Sequence, residues 1–456
     1  MPFRFHLKEH GLLGLFVGKW LLISILLGMA VGSLCAFFLW SLEGATAWRL
    51  RQPELLYLLP VAGIAIAWMY GRFGESVEGG NNLIVDEIHE PERGIPLRMT
   101  PLVLLGTIVT HLFGGSAGRE GTAVQMGGSI ASGLASLIFP ASKGDVRILL
   151  MAGVAAGFGG VFGTPVAGMI FALEVLWIGR MNYTAILPCL AASIASDQTC
   201  VAWGITHTHY HIATLLPAGS EHHLAPVSLL LMGKVALAGM IFGLTSVVFA
   251  ELVHGLHRLF HEWIRWPLLR PFVGGLIVIG LVACLGTRDY LGLGVSNTEG
   301  TSVSIQTAFH AGGARTWSWW WKIVFTAVTL SSGFKGGEVT PLFFIGATLG
   351  NTLAWCLNAP VDLFAALGFV AVFSGATNTP LACTVMAIEL FGGEFTVYFA
   401  TACVVAYLFS GHSGIYLSQR IGTPKLKESD ASGDESLRTV RERKPRFGHL
   451  LLRSRK

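Results

Sequence analysis

A chain of 456 residues that is 52% hydrophobic and only 13% charged cannot clothe itself in a water-facing surface, since soluble domains run near ~25% charged. With a mean hydropathy of +0.61, this excludes an ordinary soluble globular protein and indicates a membrane-embedded one. The net charge of +4 suggests no nucleic-acid partner, and the 57 glycines fit close helix packing and interrupted membrane helices.

The N-terminal segment 1–20 is basic and leads into a 20-residue apolar run at 21–40. That run is longer than a signal-peptide core and reads as the first membrane helix. Further apolar stretches follow at 55–70, 101–113, 147–178, 184–204, 226–253, 272–286, 323–332, 340–358, 361–390 and 395–416. Several are shorter than the ~20 residues a spanning helix needs, and many are broken by Gly or Pro. Such breaks are tolerated at membrane depth only beside a cavity or inside protein, and they are a transporter trait. Residues 423–456 hold ten Lys/Arg against five Asp/Glu and read as a disordered basic tail. Lys/Arg-rich flanks at both ends place both termini in the cytoplasm, which requires an even number of crossings. The seven cysteines show no CxxC spacing and read as core residues.

An internal repeat organises the chain. "GSAGREGT" (Gly115–Thr122) and "GFKGGEVT" (Gly333–Thr340) share G-x-x-G-x-E-x-T at an offset of 333 − 115 = 218. "TPVAGMIFALE" (Thr164–Glu174) and "TPLACTVMAIE" (Thr379–Glu389) share T-P-x-A-x6-E at 379 − 164 = 215. Two motifs in one order at nearly one offset divide the chain into a first membrane repeat (21–215), a connection containing a membrane helix (216–265), a second repeat (266–422) and the tail. Repeats of this kind are parallel or inverted, and broken helices meeting at mid-membrane favour inversion.

Glycine-rich backbone ahead of a helix leaves N–H groups pointing outward with the positive end of the helix dipole behind them, which makes an anion site. Glu120 in that setting has two readings. It caps its own helix, or it competes with a transported anion for the same amides and releases them when protonated. An ionisable residue inside a membrane is a functional candidate by default, and Glu338 in the second motif supplies a symmetry-related carboxylate.

"GREG" at Gly118–Gly121, "GG-x-x-x-P" at Gly336–Pro341 and "GIY" at Tyr416 resemble the CLC chloride channel and transporter family over roughly residues 20–420. The resemblance implies an all-α, multi-pass fold of two inverted repeats, and a homodimer with one pathway per subunit. It implies Glu120 as the gating, proton-carrying glutamate and Tyr416 as an anion ligand, with Gly118, Arg119, Gly121, Val339 and Thr340 around the anion path. The sequence also departs from the family pattern. Where a serine segment is usual, "EGGNNLIVDEI" offers Asn81, or Asn82 if the register shifts by one. Thr122 replaces the proline after GREG, the second-half motif reads "GGEVTP", and Val175 stands where exchangers often carry a second proton glutamate. These features resemble the fluoride/proton antiporter branch.

Fluoride is small and strongly hydrated, so stripping its water calls for concentrated donors. The amide of Asn81, the hydroxyl of Thr340 and the phenol of Tyr416 are available, with Glu120 and Glu338 as proton carriers. The expected function is export of fluoride from the cytoplasm in exchange for protons, in the inner membrane and among its lipids. A chloride/proton exchanger or chloride channel is the alternative. No cofactor, metal or enzymatic activity is expected.

Other charged features divide between roles. Lys335 adds positive potential or snorkels to a polar edge; Arg119 points toward an aqueous vestibule; Glu174 and Glu389 sit at helix ends as structural carboxylates. His207, His209 and His211, followed by Glu221, His222 and His223, read as a solvated or interfacial loop with incidental metal binding as the rival. His261 and Glu262 begin a zincin-like motif that Arg265 breaks. "WSWWWK" (Trp317–Lys322) reads as an interfacial anchor.

Overall fold

The computed structural model describes residues 7–138, 142–208, 210–213, 227–295, 302–426 and 433–443. The first half holds α1 (Leu7–Arg51), α2 (Leu59–Phe73), α3 (Asn81–His89), α4 (Met99–Leu112), α5 (Glu120–Ile138), α6 (Lys143–Phe162), α7 (Pro165–Glu174) and α8 (Ile186–Ala202). α9 (Leu229–Trp263), the membrane helix expected in the connection, leads into the second half, which holds α10 (Leu269–Leu285), α11 (Ser318–Ser331), α12 (Val339–Leu357), α13 (Val361–Thr377), α14 (Pro380–Phe391) and α15 (Thr396–Phe409). A short α16 (Leu437–Arg443) follows, and two strands, β1 (Trp177–Ile178) and β2 (Arg420–Ile421), pair in parallel.

Six helical segments among the described residues are long and apolar enough to cross a membrane, and six shorter apolar helices of 10–17 residues accompany them. The short ones have identifiable causes. Gly163 (φ 69°) ends α6 in the left-handed region and Thr164–Pro165 starts α7; Asn378 (φ 58°) ends α13 and Thr379–Pro380 starts α14. A left-handed residue closes one helix, and a proline, which needs no N–H partner, opens the next. At the other extreme, α1 runs 45 residues, roughly 67 Å at ~1.5 Å per residue. It exceeds the run expected at 21–40 because no proline interrupts residues 3–52.

The two halves are related by a local two-fold. Gly118 and Gly337 form an antiparallel bridge, donating to each other's carbonyls at 2.6 and 2.8 Å. The N-termini of α5 and α12 therefore meet head to head, which is the inverted arrangement. A second reciprocal contact comes from the T-P-x-A-x6-E motif. Glu174 accepts from Leu381 N (3.1 Å) and Ala382 N (2.8 Å) at the start of α14. Glu389 accepts from Val166 N (2.9 Å) and Ala167 N (2.8 Å) at the start of α7. Each repeat thus caps the other's broken helix, satisfying orphan amides that lipid cannot satisfy.

Glycine lets the central helices touch backbone to backbone. A Cβ on Gly127 of α5 would stand 2.1 Å from the carbonyl oxygen of Gly153 in α6, and one on Gly346 of α12 would stand 2.0 Å from that of Gly368 in α13. Five of the seven cysteines are buried in this body; Cys284 and Cys356 are exposed.

The tail read as disordered is ordered where it is described. Ile421 N donates to Glu435 O at 2.8 Å, Leu437 N to Gln419 O and Arg438 N to Leu417 O, both at 2.9 Å. Arg441 reaches Glu251 of α9 at 2.7 Å. The segment adds backbone pairing to β2, a gain that side-chain composition does not display.

Candidate functional site: a carboxylate at converging helix N-termini

Three helices begin at the centre: α5 at Glu120, α12 at Val339 and α3 at Asn81, the last turned by Gly80 at φ 56°. Their positive dipole ends converge, and the carboxylate of Glu120 occupies the convergence. Thr340 Oγ1 donates to Oε1 at 2.5 Å and lies 2.6 Å from Oε2, while Thr340 N donates to Oε2 at 3.1 Å. Arg119 N donates to Oε2 at 3.1 Å, and the Arg119 guanidinium lies 3.5 Å from Oε1. Glu120 is 1% exposed, so these donors replace water entirely. A carboxylate held by amides and a hydroxyl at a helix start fills the place an inorganic anion would take.

The remaining candidates surround it. The backbone of Gly118 carries the bridge to the second repeat, and a Cβ there would meet Pro341 Cδ at 2.9 Å and Glu120 Oε2 at 3.0 Å. A Cβ on Gly121 would stand 2.9 Å from Asn81 Nδ2, so the Asn81 amide lies against the GREG turn. The other arm of Asn81 is buried without a partner; because amide O and N interchange by a half-turn, an NH2 can be offered there. Asn82 does something else: its Oδ1 accepts from Ser418 N at 3.0 Å and ties α3 to the segment after Tyr416. Tyr416 is buried and lies within electrostatic reach of both Glu338 and Glu120. Val339 is buried at the first turn of α12, whose N-cap residue is Glu338. Glu120 is thus brought onto Thr340 rather than onto Glu338. Thr122 spends its hydroxyl on Thr107 (2.8 Å), and Val175 is a buried, uncharged helix end.

A vestibule of about 870 Å³ opens beside α1, with Arg119, His207 and Thr208 among its lining residues. The same three residues also line a cavity of about 20 Å³ together with Glu120, Tyr210, Thr340 and apolar side chains that include Phe162 and Phe343. Arg119, which lines both spaces and lies 3.5 Å from Glu120 Oε1, stands between the vestibule and the carboxylate.

Several features escaped the sequence reading. The loop read as solvated divides: His211 is exposed as expected, but Tyr210 packs within 5.4–6.0 Å of the rings of Phe309, Phe369 and Phe391, and His207 Nε2 lies 3.7 Å from Asp197 Oδ1. His209, Glu221, His222 and His223 lie outside the described residues, and no metal-holding cluster occurs among the described ones. The Trp317–Lys322 run divides. Trp317 is 61% exposed, as an anchor should be, but Lys322 is fully buried and donates to Tyr290 O (3.2 Å) and Gly292 O (2.7 Å). Lys335 stands 4.0 Å over the ring of Tyr70, a cation–π contact.

A family model described as "Voltage gated chloride channel" matches residues 62–411. The chain belongs to the CLC family. Its CLC relatives include a "Chloride/fluoride channel protein" of Pseudomonas syringae pv. tomato, 50% identical over 416 residues that span 90% of this chain and 88% of that one. The crystal structure of a CLC-type fluoride/proton antiporter is similar, with a TM-score of 0.81 and 35% identity over 89% of this chain and 98% of that one. A slow cyanobacterial Cl−/H+ antiporter shares the CLC fold at a TM-score of 0.71 and 19% identity, covering 87% and 96%.

Proposed function

We propose that this CLC protein is a fluoride/proton antiporter that exports fluoride from the cytoplasm and takes up protons, with both termini cytoplasmic and one pathway in each subunit of a homodimer. One observation carries the reading: the carboxylate of Glu120 sits on the amide and hydroxyl of Thr340. Protonation removes its charge and turns one oxygen into a donor, so Glu120 and those groups no longer attract each other as an ion and its donors. Fluoride entering the vacated place meets Thr340, Asn81 and Tyr416, short hard donors suited to a small, strongly hydrated anion. Glu338, at the start of α12, is the second proton carrier, with no need of a carboxylate at Val175.

The likeness to a fluoride/proton antiporter over nearly the whole chain supports this reading. The name of the Pseudomonas relative, which joins chloride, fluoride and channel, supports the rival reading of a chloride exchanger or channel. Efflux from reconstituted liposomes at equal gradients separates them. Fluoride is expected to leave at least about ten-fold faster than chloride, the discrimination that ~1.4 kcal/mol of differential binding gives. Faster chloride efflux overturns the fluoride assignment.

A further inference from the structure

We infer that His207 is a proton relay between the vestibule and Glu120, an inference that rests on the antiport reading above. The route is built from three observations. The vestibule of about 870 Å³ and the small cavity at Glu120 share Arg119, His207, Thr208 and Val295, so His207 lies in the wall common to both. The small cavity measures about 20 Å³, room for one water given two to four polar partners, and Arg119, Glu120, Thr208 and Thr340 offer these on a wall otherwise made largely of Phe, Val and Leu side chains. His207 itself is placed rather than loose. Its ring lies against Gly163, where a Cβ would meet the imidazole at 2.5 Å, and its Nε2 faces Asp197 of α8 at 3.7 Å.

The charged and titratable groups around His207 give it a distinct task. Arg119 is permanently charged and cannot exchange a proton at working pH. Glu120 is the acceptor. Tyr210, on the same segment, is turned into an aromatic nest. Glu43 of α1 lines the vestibule, and Glu389 of α14 lies within electrostatic reach of Asp197 but is engaged at the start of α7. The faces of α12 and α13 toward the cavity contribute Thr340, Phe343 and Phe369. Histidine is the side chain that ordinarily exchanges a proton between about pH 5 and 8, and the Asp197 carboxylate stands 3.7 Å from its Nε2, where an opposite charge favours the protonated ring. In the transfer an imidazolium N–H bond breaks and an O–H bond forms on Glu120, directly or through one water. The neutral imidazole then takes a proton from the vestibule, so charge and protons balance.

The test is fluoride-driven proton uptake by liposomes across external pH 5.5–8. Wild type, His207→Ala and Asp197→Asn are compared, with fluoride binding measured calorimetrically to establish folding. The relay requires His207→Ala to slow proton uptake at least about ten-fold near neutral pH, with imidazole in the medium restoring it. It requires Asp197→Asn, which keeps the ring, to move the midpoint of the pH profile to lower pH because the stabilising carboxylate is gone. Wild-type uptake rates and profile in His207→Ala, or no imidazole rescue, overturn the relay. If the alanine variant does not fold, an unchanged profile in Asp197→Asn overturns it. Absence of proton uptake by the wild type is a different result, which removes the antiport reading itself.

Discussion

Glu120→Gln is expected to abolish proton movement coupled to fluoride, by about 10²-fold or more, the scale on which positioned proton carriers act. Glutamine keeps the length and shape of the side chain but cannot be protonated in the working range. Its NH2 also opposes the donors that surround the carboxylate. Glu120 accepts from Thr340 N, Thr340 Oγ1 and Arg119 N, and an amide offers one acceptor oxygen to that set. Whatever anion flux survives should therefore lose its dependence on pH. Dye-reported proton flux in vesicles measures this directly, and a variant that still moves protons against fluoride removes Glu120 from the mechanism.

Gly368→Leu is expected to prevent recovery of a stable, monodisperse protein. The Cβ would stand 2.0 Å from Gly346 O, and backbone on the facing helix cannot yield as a side-chain tip can. Overpacking a well-filled interior costs roughly 1–3 kcal/mol, and this contact sits at the tighter extreme. The displaced partner is α12, which begins with Val339 and Thr340, so any folded fraction should also lose the geometry at Glu120. Gly280→Ala is the matched control, because nothing lies within 4 Å of a Cβ there. Thermal unfolding in detergent, followed by size-exclusion chromatography, distinguishes the two. Equal stability of both variants contradicts the close-packing account.

The repeat was legible because it is a property of order along the chain. The matched motifs at Gly115 and Gly333, and at Thr164 and Thr379, disclose two halves without any knowledge of space. Glu174 and Glu389 were legible as helix-end carboxylates for the same reason, but not the fact that each serves the other half. That partner lies some two hundred residues away and leaves no periodic trace. The bond from Thr340 to Glu120 is of the same kind. Sequence offered Thr340 as an anion donor; folding hands its hydroxyl to the Glu120 carboxylate.

Composition misled in three places, each for a physical reason. The segment around His207 is polar, yet Tyr210 among phenylalanines draws it inward to close the cavity. Lys322 ends a tryptophan run that belongs at an interface, yet two main-chain carbonyls hold its ammonium in the interior. Residues 433–443 carry the charges of a tail, yet they return to pair with β2, because backbone groups bond regardless of side chain. Asn81 and Asn82 differ only in the fold: the Asn82 Oδ1 accepts from Ser418 N, and the Asn81 amide lies against the GREG turn.

In the proposed antiport, fluoride and protons move in opposite directions through one pathway. Vesicles loaded with fluoride at equal internal and external pH, with potassium and valinomycin to carry the compensating charge, report the direction of proton movement. Antiport predicts that the lumen acidifies as fluoride leaves. A lumen that stays at constant pH while fluoride escapes, or that turns alkaline as it would if the acid HF left, contradicts the account.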